Sequence, residues 1–474
     1  MKKLPVYFWL LAAVFVLRLF LVFLFPPTAD EAYYLLWAKH LSLSYVDHPP
    51  MISFLNFIFT KLPIDPLLAS RLGCVLLSLG IAAVIYKISN SWLAALMFWL
   101  TPYALVMALV LTVEIPFILF YLLTIYFLLE WLKNQKQTNL IWAGIFTGLG
   151  FVSKYSMILI FPVIFILTCL PSAKKLKTIQ NLKSFLIYTG IAGLIFLPVL
   201  ISNFFSGGES FLFHLNRLHE WRGFSGLGQY LGEQILYLSP IFTIALFRLF
   251  RLKNNFSLQE KLLFWSGAVP FVFFGLLSFK AMVWPHWPAM AYAPLLILLA
   301  QRWDRNNKID RKTKINYWLI SAVLFNVLLL SVLLFSDPGI LKYQKQYHEN
   351  KKIISYFEKL NEQTKISQIY TDSHGTAGQL SYYLQKTVLM PTELLSVDQG
   401  VWGRGQFARW NFFLQKGDNV IFYIAPGTKI ASDLKKYFGS VEELSWPAIV
   451  GIEKHLLNKK FYLAKGFKLD HQKI

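Results

Sequence analysis

Two carboxylates stand side by side in the stretch Thr28–Met51, TADEAYYLLWAKHLSLSYVDHPPM, a polar and aromatic insert between apolar segments. A carboxylate within hydrogen-bond reach of a hydroxyl can take its proton, so Asp30 and Glu31 are candidate catalytic acids and bases. They open a short amphipathic helix that runs on through Tyr33, Tyr34, Trp37 and Lys39. Neighbours at i and i+1 do not share a helix face, so at most one of the two points into a cavity while the other caps, pairs or faces outward. Thr28 and Glu31 also fit a capping box, with Asp30 adding negative charge near the positive helix end. Downstream, Asp47-His48-Pro49-Pro50 reads as a rigid polar turn, because prolines fix the backbone and hold the preceding residue extended.

Further polar residues recur at the ends of apolar runs. Glu114 lies in TVEIP, Lys154 in SKY beside Tyr155, and Lys280 and His286 in FKAMVWPHWP. Each has a plainer reading. Glu114 suits a helix N-terminus with Pro116 in its first turn, Lys154 could snorkel or complement a helix C-terminus, and His286 beside Trp287 suits a membrane interface. Arg18 and Arg71 fall inside apolar runs, where a charge either snorkels or marks function. A loop of about 25 residues, SGGESFLFHLNRLHEWRGFSGLGQ, carries Arg217 and Arg222 and has the length of a lid. His214 and His219 in it are five apart, off a common helix face, which gives no metal site.

These residues need elements to hold them, and the composition says which kind. Of 474 residues 56% are hydrophobic and only 15% charged, too apolar for a soluble protein, so the chain is read as a mainly α-helical polytopic membrane protein. Its net charge of +21 falls mostly in short loops, where topology explains it better than nucleic acid. Cys74 and Cys169 lie in separate apolar runs, outside any disulfide or metal spacing. Segments able to cross about 30 Å of hydrocarbon occur near 5–25, 66–88, 90–111, 114–132, 139–153, 155–171, 184–204, 229–250, 260–279, 286–303 and 315–335, giving about eleven transmembrane helices. The run 52–60 is too short to span and is placed at the interface.

Lys133, Lys136, Lys174, Lys175, Lys177, Arg248, Arg251, Lys253 and the basic group Arg302–Lys314 share one side with Lys2 and Lys3, the inner side by the positive-inside rule. Asp30, Glu31, Asp47, His48, Glu114, Lys154, Lys280 and His286 then collect outside. The expected organisation is a transmembrane domain, 1–336, with a first outer loop at 26–65 and an outer lid at 205–228, followed by an extracytoplasmic domain, 337–474. In the latter, a helix over 340–362 and strands at 368–371, 387–390, 419–424 and 460–463 predict a small α/β fold.

Taken together, DEAYYLLWAKHLSLSYVDHPPM, the acid before proline in TVEIP, GLGFVSKYSMILIFP, LGQYLGEQILYLSP and WPHWPAMAY resemble the bacterial branch of the protein O-mannosyltransferase family, which is similar to the aminoarabinose transferases that modify lipid A. The resemblance implies a GT-C membrane glycosyltransferase of the bacterial inner membrane, its N-terminus inside and its C-terminal domain outside. It would take a sugar from a polyprenyl-phosphate donor and pass it to an acceptor lipid, glycan or protein on the outer face. Carried over by position, Asp30 is the first-loop base, Glu31 its acidic neighbour and Glu114 a second acid. Lys154 falls near the donor phosphate and Arg71 matches a recurrent arginine; Arg217 and Arg222 would join Lys154 there. Tyr33, Asp47, His48, Tyr155, Lys280 and His286 are the possible substrate contacts.

The sequence shows no required cofactor and leaves a divalent metal open; membrane lipids are expected partners and nucleic acid is not. The rival reading is a transporter or lipid flippase with an outer domain, but transport sites sit near mid-membrane among broken helices, whereas these acids gather at one boundary. A third reading, a binding protein that has lost catalysis, is disfavoured by the retained Asp30 and Glu31.

Overall fold

The computed structural model describes residues 5–23, 27–107, 109–170, 179–216, 221–250, 256–305, 310–335, 354–366, 368–390, 406, 414–424, 429–444 and 460–468. Its membrane part is a succession of helices. They are α1 (Val6–Leu21), α2 (Ala29–Lys39), α3 (Met51–Phe59), α4 (Pro66–Ser89), α5 (Trp92–Trp99), α6 (Pro102–Met107), α7 (Glu114–Asn134) and α8 (Gln137–Ser153). There follow α9 (Ile160–Cys169), α10 (Ile179–Phe205), α11 (Glu209–Asn216), α12 (Gly223–Leu238), α13 (Pro240–Phe250), α14 (Leu258–Leu277), α15 (Tyr292–Arg305) and α16 (Asp310–Phe335).

Every apolar segment read from the sequence contains helix, but not every one is a full span. Among the described residues four helices are long and apolar enough to cross a membrane unaided: α4, α7, Leu182–Phe205 within α10, and α14. A fifth forms if α12 and Pro240–Phe247 count together, although they bend by 104°. Among the described residues length and apolarity alone thus support four or five crossings and do not confirm the eleven expected. Breaks explain part of the difference. The segment 90–111 is cut at Pro102 into α5 and α6, which frees backbone carbonyls that lipid could not satisfy. Asn326 Nδ2 donates to the Leu100 carbonyl at 2.7 Å, and Arg18 Nη2 to that of Ala104 at 2.6 Å. Arg18 is fully buried with its guanidinium carbon 4.1 Å from the Trp99 ring centroid, so it braces the break rather than snorkelling. The second break falls at Ser239, φ 84°, just before Pro240.

Helix ends and contacts follow from local chemistry. Asp65 caps α4 by accepting from the Leu68 amide at 2.9 Å, Pro66 fills the first turn, and Asn90 ends the helix in the left-handed region at φ 54°. Glycines let α8 approach α10 closely: a Cβ on Gly144 would lie 2.7 Å from the Tyr188 carbonyl oxygen.

The C-terminal part carries a four-stranded sheet, β1 (Ile369–Thr371), β2 (Val420–Ile424), β3 (Phe438–Leu444) and β4 (Lys460–Phe467), in the order β1-β2-β4-β3. β1 pairs parallel to β2, with Tyr370 opposite Phe422, and the other pairs are antiparallel. β2 is buried along its whole length, as a central strand between covered faces must be. The expected strand at 387–390 contributes a single bridge, Leu389 to Tyr370. β3 went unread because it is a largely exposed edge, FGSVEEL, whose charges blunt it and erase any apolar run. Of the helix expected at 340–362, residues 340–353 lie outside those described; the rest belongs to α17 (354–364).

α18 (His374–Leu384) packs directly on α2. A Cβ on Gly378 would come within 2.7 Å of the Tyr33 amide nitrogen. Gln379 Nε2 donates to the Pro27 carbonyl at 3.3 Å, Tyr382 OH to Asp65 Oδ2 at 2.7 Å, and the Val46 amide to Gln406 Oε1 at 3.1 Å. The C-terminal domain is therefore built onto the insert that carries Asp30.

Candidate active site

α2 starts with the capping box: Thr28 Oγ1 accepts from the Glu31 amide at 3.2 Å, and Glu31 Oε2 from the Thr28 amide at 2.9 Å. Glu31 is fully buried and holds Arg71 in a two-pronged ion pair, Nε to Oε1 at 2.7 Å and Nη2 to Oε2 at 2.6 Å. Its Oε1 also accepts from the Leu111 amide at 2.9 Å, while Arg71 Nη1 donates to the Val22 carbonyl at 3.1 Å. Where the sequence suggests a catalytic acid and a phosphate ligand, the Glu31 carboxylate and the Arg71 guanidinium here satisfy each other inside the protein.

Asp30 has the opposite fate. One residue earlier on the helix, its carboxylate is reached by solvent and forms no ion pair or hydrogen bond with another described residue. The recess around it is crowded. Burial, then the charges of Glu114 and Glu31, raise its pKa above the usual aspartate value.

Beside it lies a second buried pair. Glu114, at the start of α7, accepts from Lys154 Nζ at 2.7 Å, with His286 Nε2 3.4 Å from the same oxygen. Lys154 follows α8 in extended conformation, φ −159°, which turns the chain so that its ammonium reaches inward rather than snorkelling. Trp287 supplies a ring face 6.0 Å away. Burial lowers the pKa of His286, which Glu114 opposes and Lys154 reinforces. His48 is pushed down to about 3, by burial first and then by Lys154 and His214. Both imidazoles are neutral near pH 7.

The loop before α3 is fixed by Tyr45, stacked on Trp37 with centroids 4.0 Å apart. Its hydroxyl donates to the His40 carbonyl at 2.9 Å and meets Ser53 Oγ at 2.6 Å. Tyr33 is buried against Trp37 and His374, its hydroxyl turned to Asp47, and burial and that charge raise its pKa. Tyr33 and Asp47, both expected as substrate contacts, are buried beside each other.

The lid differs from expectation too. It contains α11, and α12 begins within it at Gly223. α11 docks on the first loop: His214 Nε2 lies 3.0 Å from the Asp47 carbonyl oxygen, and Ser210 Oγ 2.8 Å from Tyr155 OH. Arg222 donates to Gln229 Oε1 at 2.9 Å, Lys280 is exposed at the end of α14, and Arg217 lies outside the described residues. Of the expected site residues, the structure gathers Asp30, Glu114, Lys154, His48 and His286. Among the described residues no three His, Cys, Asp or Glu side chains converge to hold a metal.

Two contributors were missed. Tyr34, one turn beyond Asp30, is buried with its hydroxyl pKa raised by burial and by Asp30, Glu114 and Asp47. The i, i+4 spacing could have found it. His214 carries no such clue, because only the fold brings α11 against Asp47.

These features define a multi-pass membrane protein with a fold of the GT-C type. Residues 47–202 match the family model described as dolichyl-phosphate-mannose-protein mannosyltransferase. The fold is similar to the crystal structure of ArnT from Cupriavidus metallidurans bound to undecaprenyl phosphate, with a TM-score of 0.63 and 12% identity over 96% of this chain and 97% of that one. The apo state of ArnT from the same organism gives 0.61 and 15% over the same shares. No curated protein matches the chain.

Proposed function

We propose that this protein is a membrane glycosyltransferase that moves a sugar from a polyprenyl-phosphate donor to an acceptor hydroxyl on the extracytoplasmic face of a bacterial inner membrane. The observation that carries the reading is the division among three neighbouring acids. Glu31 is paired with Arg71 and Glu114 with Lys154, while Asp30 alone is open and has raised proton affinity. A carboxylate so placed is a stronger base than a free one.

In the step, the acceptor hydroxyl gives its proton to Asp30 and its oxygen attacks the anomeric carbon. The bond from that carbon to the phosphate oxygen breaks on the opposite side, the phosphate leaves with the bonding pair, and the configuration inverts. Charge grows on the departing phosphate. Lys154 has three N–H donors and uses one on Glu114, so it can offer the others there. Tyr34 and the neutral His48 and His286 suit sugar hydroxyls. An apolar crevice lined by Leu128, Trp131, Ile164 and Tyr188 lies about 21 Å along α7 from Glu114, within reach of an isoprenoid tail. The undecaprenyl phosphate bound by ArnT supports the choice of carrier.

Native mass spectrometry of the protein gently purified from its own host tests the reading. A co-purifying polyprenyl phosphate, bare or sugar-loaded, is the expected result. Retention of ordinary phospholipid only, with no binding of added polyprenyl phosphate, would overturn it.

A further inference from the structure

A second cavity opens on the other side of α2. Ala32, Leu36 and Lys39 repeat at helical spacing along one face, and Lys39 lies about 180° round the helix from Asp30 at about 100° per residue. Together with Phe57, Thr60 and Lys61 after and within α3, and Ser381, Tyr382 and Gln385 from the end of α18, this face encloses a cleft of about 460 Å³. That volume falls within the range of ~300–1,000 Å³ typical of small-molecule sites.

The chemistry of its wall is amphipathic and positive. Lys39 and Lys61 are both exposed to it, and neither forms an ion pair with another described residue. Lys61 Nζ sits 4.4 Å from the Phe57 ring centroid, which holds the ammonium over the apolar floor. The neighbouring acid, Asp65, spends its oxygens on other groups and forms no ion pair with either lysine among the described residues. Asp65 accepts from the Leu68 amide with one oxygen and from Tyr382 OH with the other.

The position is that of a membrane boundary. The chain enters the long apolar helix α4 at Pro66, which itself lines the cleft. Just before it, Ile58, Leu62 and Ile64 stand exposed and continue the apolar floor outward. Paired lysines over an apolar slope at this level match one ligand chemistry, a phosphate carried on acyl chains.

We propose that this cleft binds the phosphate headgroup of an anionic glycerophospholipid, with Lys39 and Lys61 on the phosphate and an acyl chain along Phe57, Ile58 and Leu62. The site is separate from the recess of Asp30 and independent of the transferase reading. Its walls come from both halves of the chain, so the bound lipid staples α18 to α2 and α3. That contact in turn fixes the helix on which Asp30 stands.

The test uses the full-length protein in nanodiscs of phosphatidylglycerol or phosphatidylcholine. The readouts are lipid retention by native mass spectrometry and acetylation of Lys39 and Lys61 in the wild type. Retention should favour phosphatidylglycerol, which should shield both lysines. Lys39→Gln/Lys61→Gln should lose that preference by tenfold or more, at about fivefold per lysine. Polyprenyl-phosphate binding by the same variant should not change, which separates this site from the candidate active site. Equal retention of the two lipids, undiminished preference in the double variant, or shielding by inorganic phosphate as complete as by phosphatidylglycerol would overturn the proposal.

Discussion

Replacing Glu31 by glutamine should remove stability, while replacing Asp30 by asparagine should remove turnover. Glu31 accepts from Arg71 Nε and Nη2, from the Leu111 amide and from the Thr28 amide, all inside the protein. The Glu31→Gln variant strands the Arg71 guanidinium as a buried charge without its counter-ion, a loss of about 3–5 kcal/mol. Glu31→Ala also orphans the Leu111 amide, worth about 1–3 kcal/mol, though the two costs overlap. Against a typical stability of about 5–15 kcal/mol either change is severe. Removing both charges in Glu31→Gln/Arg71→Met should recover much of the loss, since a neutral pair avoids the stranded charge.

Asp30 runs the other way. Its folded pKa is raised, so its contribution to stability is present when protonated and lost as pH rises through that value. At neutral pH its charge is a cost, and Asp30→Asn should leave the unfolding midpoint unchanged or higher while sugar transfer falls by about 10²–10⁴-fold. The assay is SDS-induced unfolding in mixed micelles beside transfer kinetics on the same samples. A Glu31→Gln variant that unfolds like the wild type yet cannot turn over would refute the assignment. So would an Asp30→Asn variant with comparable turnover.

Lys154→Ala should chiefly weaken polyprenyl-phosphate binding. Because it also leaves Glu114 buried without its cation, Lys154→Met/Glu114→Gln serves as the control that removes both charges, and unchanged donor affinity in both variants would exclude Lys154 from the phosphate site. The acid limb of kcat/KM should lie above the ordinary aspartate value of 3.8, because activity needs ionised Asp30 and its pKa is raised. The limb of kcat should lie higher still once a donor phosphate adds negative charge, and a limb below 3.8 would remove Asp30 as the titrating base. Gly378→Ala places a Cβ against the Ala32–Tyr33 backbone, so it should loosen α18 from α2 at a cost of about 1–3 kcal/mol, read as faster proteolysis of the C-terminal domain.

The sequence made the membrane character and the first-loop acids legible, because hydropathy and the Thr28–Met51 pattern are local properties. It also showed that Asp30 and Glu31 could not share a role, since adjacent helical residues diverge. Which of them would be buried was not legible. That depends on Arg71, forty positions on, and on Leu111, whose amide has no sequence mark at all. Where the helices break was not legible either: hydropathy sees the runs 90–111 and 229–250 as continuous, whereas the chain breaks before Pro102 and at Ser239. The cleft on the far side of α2 was invisible, because one wall comes from α18, more than three hundred residues away.

Two buried ion pairs in one site need a reason beyond stability, since apolar residues of similar volume often hold a core better. Their placement supplies it. Glu31 ties α2 to α4 through Arg71 and to the chain ahead of α7 through the Leu111 amide. Lys154 ties the end of α8 to Glu114, three residues after Leu111, at the start of α7. Both locks therefore close on one short segment, 111–114, and fix the insert, α7 and α8 to a common point. Precise geometry in a site demands such supporting contacts, because a base displaced by about 1 Å loses much of its effect. The same pairing decides the electrostatics. Each lock cancels one acid with one cation, so of these three acids Asp30 is left as the uncompensated one, and it is exposed to solvent.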